Sequence, residues 1–241
     1  LDAVRGEAAA VRIRDVGLLL YTSGTTAEPK GCLLSHESLV RTSLAVAERW
    51  SLTEDERFWD PLPLFHLAGL LLLMATLQVG GTFLTTTHFE PAEAIRSMTA
   101  ERCTFAFPCF PTVTQAIVRH PSFDPAALSA VRGVLDTNPP EALLRLATQW
   151  PGPKVVASYG LTEAGGVVCF SHLDDPDETR VRGGRPFRGM EVRIADPETD
   201  AELPPGEVGQ ILVRGPGLFE GYHDDRETTD RAMRGGWLHT G

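Results

Sequence analysis

The chain has 241 residues, and its 22 lysines and arginines against 32 aspartates and glutamates give a formal net charge of −10 at pH 7. Because non-specific nucleic-acid binding depends on basic patches, an acidic chain argues against a nucleic-acid partner. The longest apolar stretch, residues 67–77, is shorter than the ~20 residues that a membrane-spanning helix needs. It therefore predicts a helix buried on all sides and no transmembrane segment.

Strand-like and helix-like segments then alternate along the chain. The strand-like segments are Val16–Thr22 and residues 81–86, 103–107, 131–135 and 154–158. The helix-like segments are the stretch in which Val40, Leu44 and Ala47 recur, followed by Pro91–Ala100, residues 111–120 and Pro140–Gln149. This alternation predicts an α/β fold over residues 1–180, with a mainly parallel sheet covered by helices.

A second subdomain is predicted from about residue 181, where the helical period fades and glycine and proline become frequent. Glu191–Ala195 and residues 207–214 read as strands joined by a turn-rich segment. We therefore expect residues 181–241 to form a β-rich, distorted barrel-like subdomain.

The four cysteines and the start of the chain favour a reducing, cytoplasmic setting. Cys32, Cys103, Cys109 and Cys169 form no Cys-x-x-Cys pair and lack a matching histidine spacing for zinc. No charged segment followed by an apolar one opens the chain, so we expect no secretion signal. Buried or free thiols are the expected state of these cysteines. The oligomeric state stays open, a homodimer included.

The first strand runs directly into a loop rich in hydroxyl groups, glycine and lysine. Residues 21–31 read Tyr-Thr-Ser-Gly-Thr-Thr-Ala-Glu-Pro-Lys-Gly. Glycine lets the backbone approach an anion, hydroxyl and N–H groups donate hydrogen bonds, and Lys30 adds a compact positive charge. The loop predicts a phosphate site, although a plain turn has a similar composition. It is not a Walker loop, because Pro29 precedes Lys30 and Gly31 follows it.

Two later motifs also carry chemistry. Residues 159–163, Tyr-Gly-Leu-Thr-Glu, follow an apolar strand, and the carboxyl end of such a strand is where open α/β sheets bind ligands. An aromatic face suits a purine, and a carboxylate suits Mg²⁺. The alternative is an N-capping Thr162 and a solvated Glu163. The other motif comprises residues 206–215, Gly221-Tyr222 and residues 235–241, which read Gly-Gly-Trp-Leu-His-Thr-Gly.

In this order the motifs resemble those of the adenylate-forming superfamily, which includes acyl- and aryl-CoA synthetases, luciferases and peptide-synthetase adenylation domains. The resemblance covers nearly all 241 residues and departs from the usual loop at Ala27, where the family has glycine. It implies ATP, Mg²⁺ and coenzyme A as cofactors. It also implies part of a large N-terminal domain, without the lysine-bearing C-terminal domain.

The resemblance implies a role for individual residues. Tyr159 would stack on adenine, Thr162 would contact the α-phosphate, and Glu163 would hold Mg²⁺. Lys30, Thr162 and Glu163 are the implied catalytic residues. The full set implied to bind ATP and its phosphates is Thr22, Ser23, Gly24, Thr25, Thr26, Lys30, Tyr159, Gly160 and Thr162.

The acyl side of the implied site is carried by two other segments. Residues 61–66 resemble a Pro-x-x-x-x-His segment that places His66 beside the substrate carboxylate, the alternative being a capped structural histidine. Residues 135–140, Leu-Asp-Thr-Asn-Pro-Pro, stand where the family has small residues such as Gly-Gly-Ala-Pro. Asp136 or Asn138 would therefore narrow or polarise the acyl pocket, or else form an Asx turn before a helix.

The implied function is an ATP-dependent carboxylic acid:CoA ligase, which makes an acyl-adenylate and then an acyl-CoA thioester from a fatty or aromatic acid. An adenylation domain that loads a carrier protein shares every motif, and a catalytically silent nucleotide-binding homologue is the third reading. The family's ribose-binding aspartate would follow Gly241, and its transition-state lysine lies in a later domain. We therefore expect the 241 residues alone to be inactive.

Overall fold

The computed structural model describes residues 10–22 and 29–241. Its strands in chain order are β1 (Val16–Thr22), β2 (Lys30–Ser35), β3 (Arg57–Trp59), β4 (Thr82–Leu84), β5 (Phe105–Cys109), β6 (Gly133–Asp136), β7 (Lys154–Val156), β8 (Ser158–Tyr159), β9 (Cys169–Phe170), β10 (Arg185–Pro186), β11 (Glu191–Ala195), β12 (Gln210–Arg214), β13 (Gly221–Tyr222), β14 (Met233–Arg234) and β15 (Trp237–His239). Its α-helices are α1 (His36–Arg49), α2 (Leu67–Gln78), α3 (Pro91–Ala100), α4 (Pro111–Val118), α5 (Pro140–Gln149), α6 (Asp177–Arg180) and α7 (Arg226–Ala232), and a 3₁₀ turn covers Thr162–Ala164.

The chain forms two compact units, and neither is continuous in sequence. The first, which we call the antiparallel unit, comprises the described residues up to 42 together with residues 161–166 and 189–241. The second, the parallel-sheet unit, comprises residues 43–160 and 167–188. The predicted division at residue 180 separates the chain into two continuous segments, whereas each of these units is made of more than one segment. The division into 1–180 and 181–241 stays a prediction.

The parallel-sheet unit confirms the α/β prediction. Its main sheet has the strand order β4-β3-β5-β6-β7, and each neighbouring pair in it is parallel. Proline occupies the first turn of α3, α4 and α5, where its fixed φ suits the helix and its missing N–H is not needed. Trp59, Ile117, Val134, Leu143 and Trp150 lie in the buried core of this unit.

Helix α2 forms where the apolar stretch predicts it, but the prediction that it is buried on all sides was wrong. Leu67, Leu71 and Leu72 are buried, whereas Leu77 is 59% exposed. Within residues 10–22 and 29–241, no helix is both long enough and apolar enough to cross a membrane.

The antiparallel unit contains the β-rich part of the fold. Strand β1 has the predicted bounds, but it pairs antiparallel with β2, a strand that the sequence analysis did not predict. Strand β13 pairs with the other edge of β2 and places Tyr222 opposite Cys32. A second antiparallel sheet has the order β11-β12-β15-β14. The antiparallel unit therefore brings residue 30 close to residue 222.

Candidate active site

A cavity of about 700 Å³ in the antiparallel unit collects residues from distant parts of the chain. Four of the predicted phosphate and metal residues, Thr22, Lys30, Thr162 and Glu163, line it together. Its volume lies in the usual range for small-molecule sites. Four other predicted phosphate residues lie outside the described residues, namely Ser23, Gly24, Thr25 and Thr26. Ala27, which stands where the family has glycine, lies outside them as well.

The pairing of β1 with β2 places the two ends of the predicted phosphate loop. Thr22 is directly opposite Lys30 in the strand register, and its hydroxyl lies 3.5 Å from the Lys30 carbonyl. Both side chains are half-buried at the cavity wall. The Lys30 ammonium is 5.3 Å from the centre of the Tyr222 ring, within the range of a cation–π contact.

Glu163 is held at both its backbone and its carboxylate. The Phe219 N–H donates to the Glu163 carbonyl at 2.8 Å, and the Tyr222 hydroxyl donates to Glu163 Oε1 at 2.8 Å. Gly165 ends the 3₁₀ turn with φ 73°, a left-handed conformation that glycine adopts without strain. A Cβ at that position would lie 2.8 Å from the Gly217 carbonyl oxygen and from Thr42 Oγ1. The site therefore requires glycine two residues after Glu163.

The groups around the Glu163 carboxylate are neutral donors. Burial, followed by the charge of Glu163, raises the pKa of the Cys32 thiol to about 12. Burial, followed by the hydrogen bond to Glu163, raises the pKa of the Tyr222 phenol. Both groups therefore keep their protons at neutral pH. Among the described side chains, no lysine, arginine or histidine forms an ion pair with Glu163.

A half-buried carboxylate without a cationic partner, facing a cavity, fits Mg²⁺. This ion is commonly bound by one or two carboxylates together with substrate phosphates, rather than by a cage of protein ligands. In the part of the chain that the structure describes, no cluster of three or more His, Cys, Asp or Glu could hold a metal by itself. All four cysteines lie within that part and are free thiols.

Sequence reasoning missed the basic side of the cavity, where Arg231, Arg234 and His239 also contribute to the wall. The Arg231 guanidinium donates to Thr228 Oγ1 at 2.9 Å, and Arg234 lies 2.9 Å from His239 Nδ1. Two arginines in one cavity wall suit an anionic ligand, and each also has a carboxylate partner, Glu227 at 3.7 Å from Arg231 and Asp200 at 3.5 Å from Arg234. No local motif singles out Arg231, because an arginine on a short polar helix usually faces solvent.

The other predicted nucleotide residues lie in the parallel-sheet unit. Tyr159 is half-buried in β8, where its carbonyl accepts a hydrogen bond from the Val168 N–H at 2.8 Å. Gly160 follows it and is exposed. The adenine-stacking role of Tyr159 stays a prediction.

The acyl residues that were predicted from the sequence all have local structural partners. His66 is the exposed N-cap of α2, and its Nδ1 accepts from the Ala68 N–H at 3.4 Å. Asp136 is fully buried at the end of β6. It accepts from the Thr114 hydroxyl at 2.6 Å, the Thr137 N–H at 2.7 Å and Asn138 Nδ2 at 2.8 Å. None of these three bonds comes from the backbone N–H two residues on, which an Asx turn would use. The Asx-turn alternative and substrate contact by His66, Asp136 and Asn138 therefore stay predictions.

The family model described as AMP-binding enzyme matches residues 3–223. Feruloyl-CoA synthase of an Amycolatopsis species is 37% identical over 234 residues, which cover 96% of this chain and 47% of that protein. 4-Coumarate–CoA ligase 1 of Solanum tuberosum is 35% identical over 240 residues, with 94% and 44% covered. The crystal structure of ATP-bound MatB from Rhodopseudomonas palustris superposes with a TM-score of 0.87 at 29% identity, covering 96% of this chain and 46% of that one.

The chain spans a little less than half the length of these relatives. The family match nevertheless runs across most of the chain, including all four predicted residues that line the cavity. On that match, and with the fold shared with the ATP-bound structure, the chain belongs to the family of AMP-binding enzymes.

Proposed function

We propose that the complete protein is an ATP-dependent carboxylic acid:CoA ligase. The observation that carries this proposal is the meeting of Thr22, Lys30, Thr162 and Glu163 in one cavity of nucleotide size. Hydroxyls and an ammonium suit phosphate oxygens, and the carboxylate suits Mg²⁺. The choice of coenzyme A as the acceptor is supported by the names of the relatives, both of which are CoA-thioester-forming enzymes.

The residues of the cavity suggest how the reaction is catalysed. A carboxylate oxygen of the acid attacks the α-phosphorus of ATP, the bond to the bridging oxygen breaks, and pyrophosphate leaves with that electron pair. Lys30 and the Thr162 hydroxyl stabilise the charge that develops on the phosphate oxygens, so catalysis is chiefly electrostatic and needs no side-chain nucleophile. Mg²⁺ held by Glu163 supplies further neutralisation of that charge when bound. The thiol of coenzyme A then attacks the acyl carbon, and AMP leaves.

The basic side of the cavity supports a binding site for pyrophosphate, the leaving group of the first step. Arg231 and Arg234 line the same cavity as Lys30, and the charges of Arg231 and Lys30 both act on the Asp225 carboxylate. Hydrogen bonds from Thr228 lower the pKa of Asp225 first, and the two cations lower it further. Arg231 and Lys30 both belong to the wall of this cavity, an arrangement that suits the β- and γ-phosphates.

The acid is proposed at the level of its class. Two relatives are named for the aromatic acids ferulate and 4-coumarate, and a third is named for a propanoyl group carried on a saturated bicyclic ring system. An aromatic or fatty acid is therefore the substrate class to examine first.

The test is carboxylate-dependent exchange of labelled pyrophosphate into ATP by the complete protein, with ferulate, 4-coumarate and a saturated fatty acid as trial acids. A ligase should show exchange with at least one acid and then form a thioester with coenzyme A. Exchange followed by loading of a phosphopantetheinyl carrier protein, without an acyl-CoA product, would identify a carrier-loading adenylation domain instead. ATP binding without exchange across a broad panel of acids would identify a silent homologue.

A further inference from the structure

We propose that Tyr222 is a positioning residue, which orients the Glu163 carboxylate for the metal and keeps that carboxylate apart from Lys30. This inference rests on the proposed function, since it concerns the same cavity. Tyr222 contacts both charged residues: its hydroxyl donates to Glu163 Oε1 at 2.8 Å, and its ring centre is 5.3 Å from Lys30 Nζ.

The segment from Phe219 to Tyr222 fixes Glu163 at two points. Its first residue donates a backbone N–H to the Glu163 carbonyl at 2.8 Å, and its last donates the phenol to the carboxylate. Glutamate has several rotatable bonds, so a carboxylate held only by its backbone would sample many orientations. Binding sites gain affinity when such freedom is removed in advance.

Tyr222 is itself held rigidly enough to serve this purpose. Its N–H donates to Thr229 Oγ1 at 2.8 Å, and it pairs with Cys32 in the strand register. Its ring packs edge-on against Phe219 with 4.9 Å between ring centres. The phenol therefore has a fixed position relative to β2, the strand that begins with Lys30.

The second part of the role is separation of charge. Lys30 and Glu163 share one cavity, yet they form no ion pair in the structure of residues 10–22 and 29–241. A direct pair would occupy the ammonium that phosphate needs and the carboxylate that the metal needs. Tyr222 offers Glu163 a neutral donor and offers Lys30 an aromatic face, so both keep their full charge for ligands.

Two substitutions in the complete protein separate the two parts of the role. Tyr222→Phe removes the hydroxyl and keeps the ring beside Lys30. Mn²⁺ binding to the complex with a non-hydrolysable ATP analogue, measured by electron paramagnetic resonance, should weaken by about tenfold, as is usual when a metal ligand loses an outer hydrogen-bond partner. Affinity for metal-free ATP, measured by calorimetry in EDTA, should not change. Tyr222→Leu also removes the ring, so both affinities should fall.

Glu220→Gln is the matched control, because it removes an exposed carboxylate from the same segment whose contact is with Arg14, at 3.3 Å, and which does not line the cavity. It should leave Mn²⁺ affinity unchanged. Wild-type Mn²⁺ affinity in Tyr222→Phe, or an equal loss in Glu220→Gln, would overturn the positioning role while leaving the ligase proposal intact. If the wild-type protein binds no ATP, the proposed function fails, and this inference fails with it.

Discussion

Replacing Asp60 by asparagine should remove a pH-dependent loss of stability from the complete protein. Asp60 follows β3, is fully buried, and accepts one hydrogen bond, from the Leu62 N–H to Oδ1 at 2.7 Å. Its Oδ2 has no hydrogen-bond partner among the described residues. Burial raises the pKa of this carboxyl from its ordinary 3.8 to about 7, against the opposing effect of the Leu62 bond. Near neutral pH the folded protein therefore holds a charge that the interior disfavours.

The sign follows from proton binding. Between pH 3.8 and about 7 the folded state binds the Asp60 proton more tightly than the unfolded state does, so its contribution to the free energy of unfolding falls as pH rises. Each pKa unit is worth ~1.4 kcal/mol, so the contribution should fall by about 3 kcal/mol between pH 5 and pH 8. The asparagine side chain of the variant has no such proton. Its unpaired amide hydrogens carry a penalty that is the same at both pH values and cancels in the difference.

The measurement is urea unfolding of the wild type and Asp60→Asn at pH 5, 6, 7 and 8, followed by the fluorescence of the buried Trp59 and Trp150. The gain in stability of the variant over the wild type should grow by about 3 kcal/mol across this range. Asp174→Asn removes a carboxylate at an exposed position and is the matched control. If the gain stays constant from pH 5 to pH 8, Asp60 is ionised without strain and the reasoning from burial is refuted.

Three further substitutions test the cavity and the nucleotide residues in the complete protein. Glu163→Gln keeps the side-chain volume but removes the charge, so pyrophosphate exchange should become slower and should need more Mg²⁺. The control Glu198→Gln, at an exposed position, should match the wild type. An unchanged Mg²⁺ dependence in Glu163→Gln would refute the metal role. Tyr159→Ala should weaken ATP binding by about 1–3 kcal/mol, the scale of base–aromatic stacking, with Tyr159→Phe restoring most of it; calorimetry would count against stacking if Phe bound no better than Ala. Arg231→Ala should weaken pyrophosphate binding by about two- to fivefold, the range of an exposed charge pair. Arg226→Ala, on the same helix but 93% exposed and outside the cavity wall, should leave it unchanged, and equal effects would show that Arg231 acts only through net charge.

The sequence predicted most clearly those elements whose signals are local. Strand β1 and helices α3 and α5 have the predicted bounds. An apolar run marks the strand, and a proline marks the first turn of each helix. The parallel sheet followed from the alternation of elements. The sequence analysis did not predict strand β2, because Lys30 and Gly31 at its start are typical of loops. The strand is stabilised by its pairing with β1 and β13 and not by its local sequence.

The site divides in the same way. Lys30, Thr162 and Glu163 stand in motifs whose composition indicates phosphate and metal chemistry, and the structure brings them to one cavity. Arg231 carries no such local signal, since a lone arginine on a short polar helix usually faces solvent. For Asp136 the sequence left two roles open; in the structure three nearby donors hold its carboxylate, and its substrate contact stays a prediction.

Tyr222 explains why composition alone cannot describe this site. Its motif was visible in the sequence, yet the chemistry assigned to Glu163 depends on a contact between residues 59 positions apart. That contact exists only because a two-residue strand, β13, pairs with β2 and because Gly165 lets the chain turn beside Thr42 and Gly217. The two-residue pairing and the glycine turn each contribute little stability alone, and packing in the antiparallel unit brings them together. The charged residues can therefore be chosen from a motif, but their orientation depends on neutral neighbours that only the folded chain supplies.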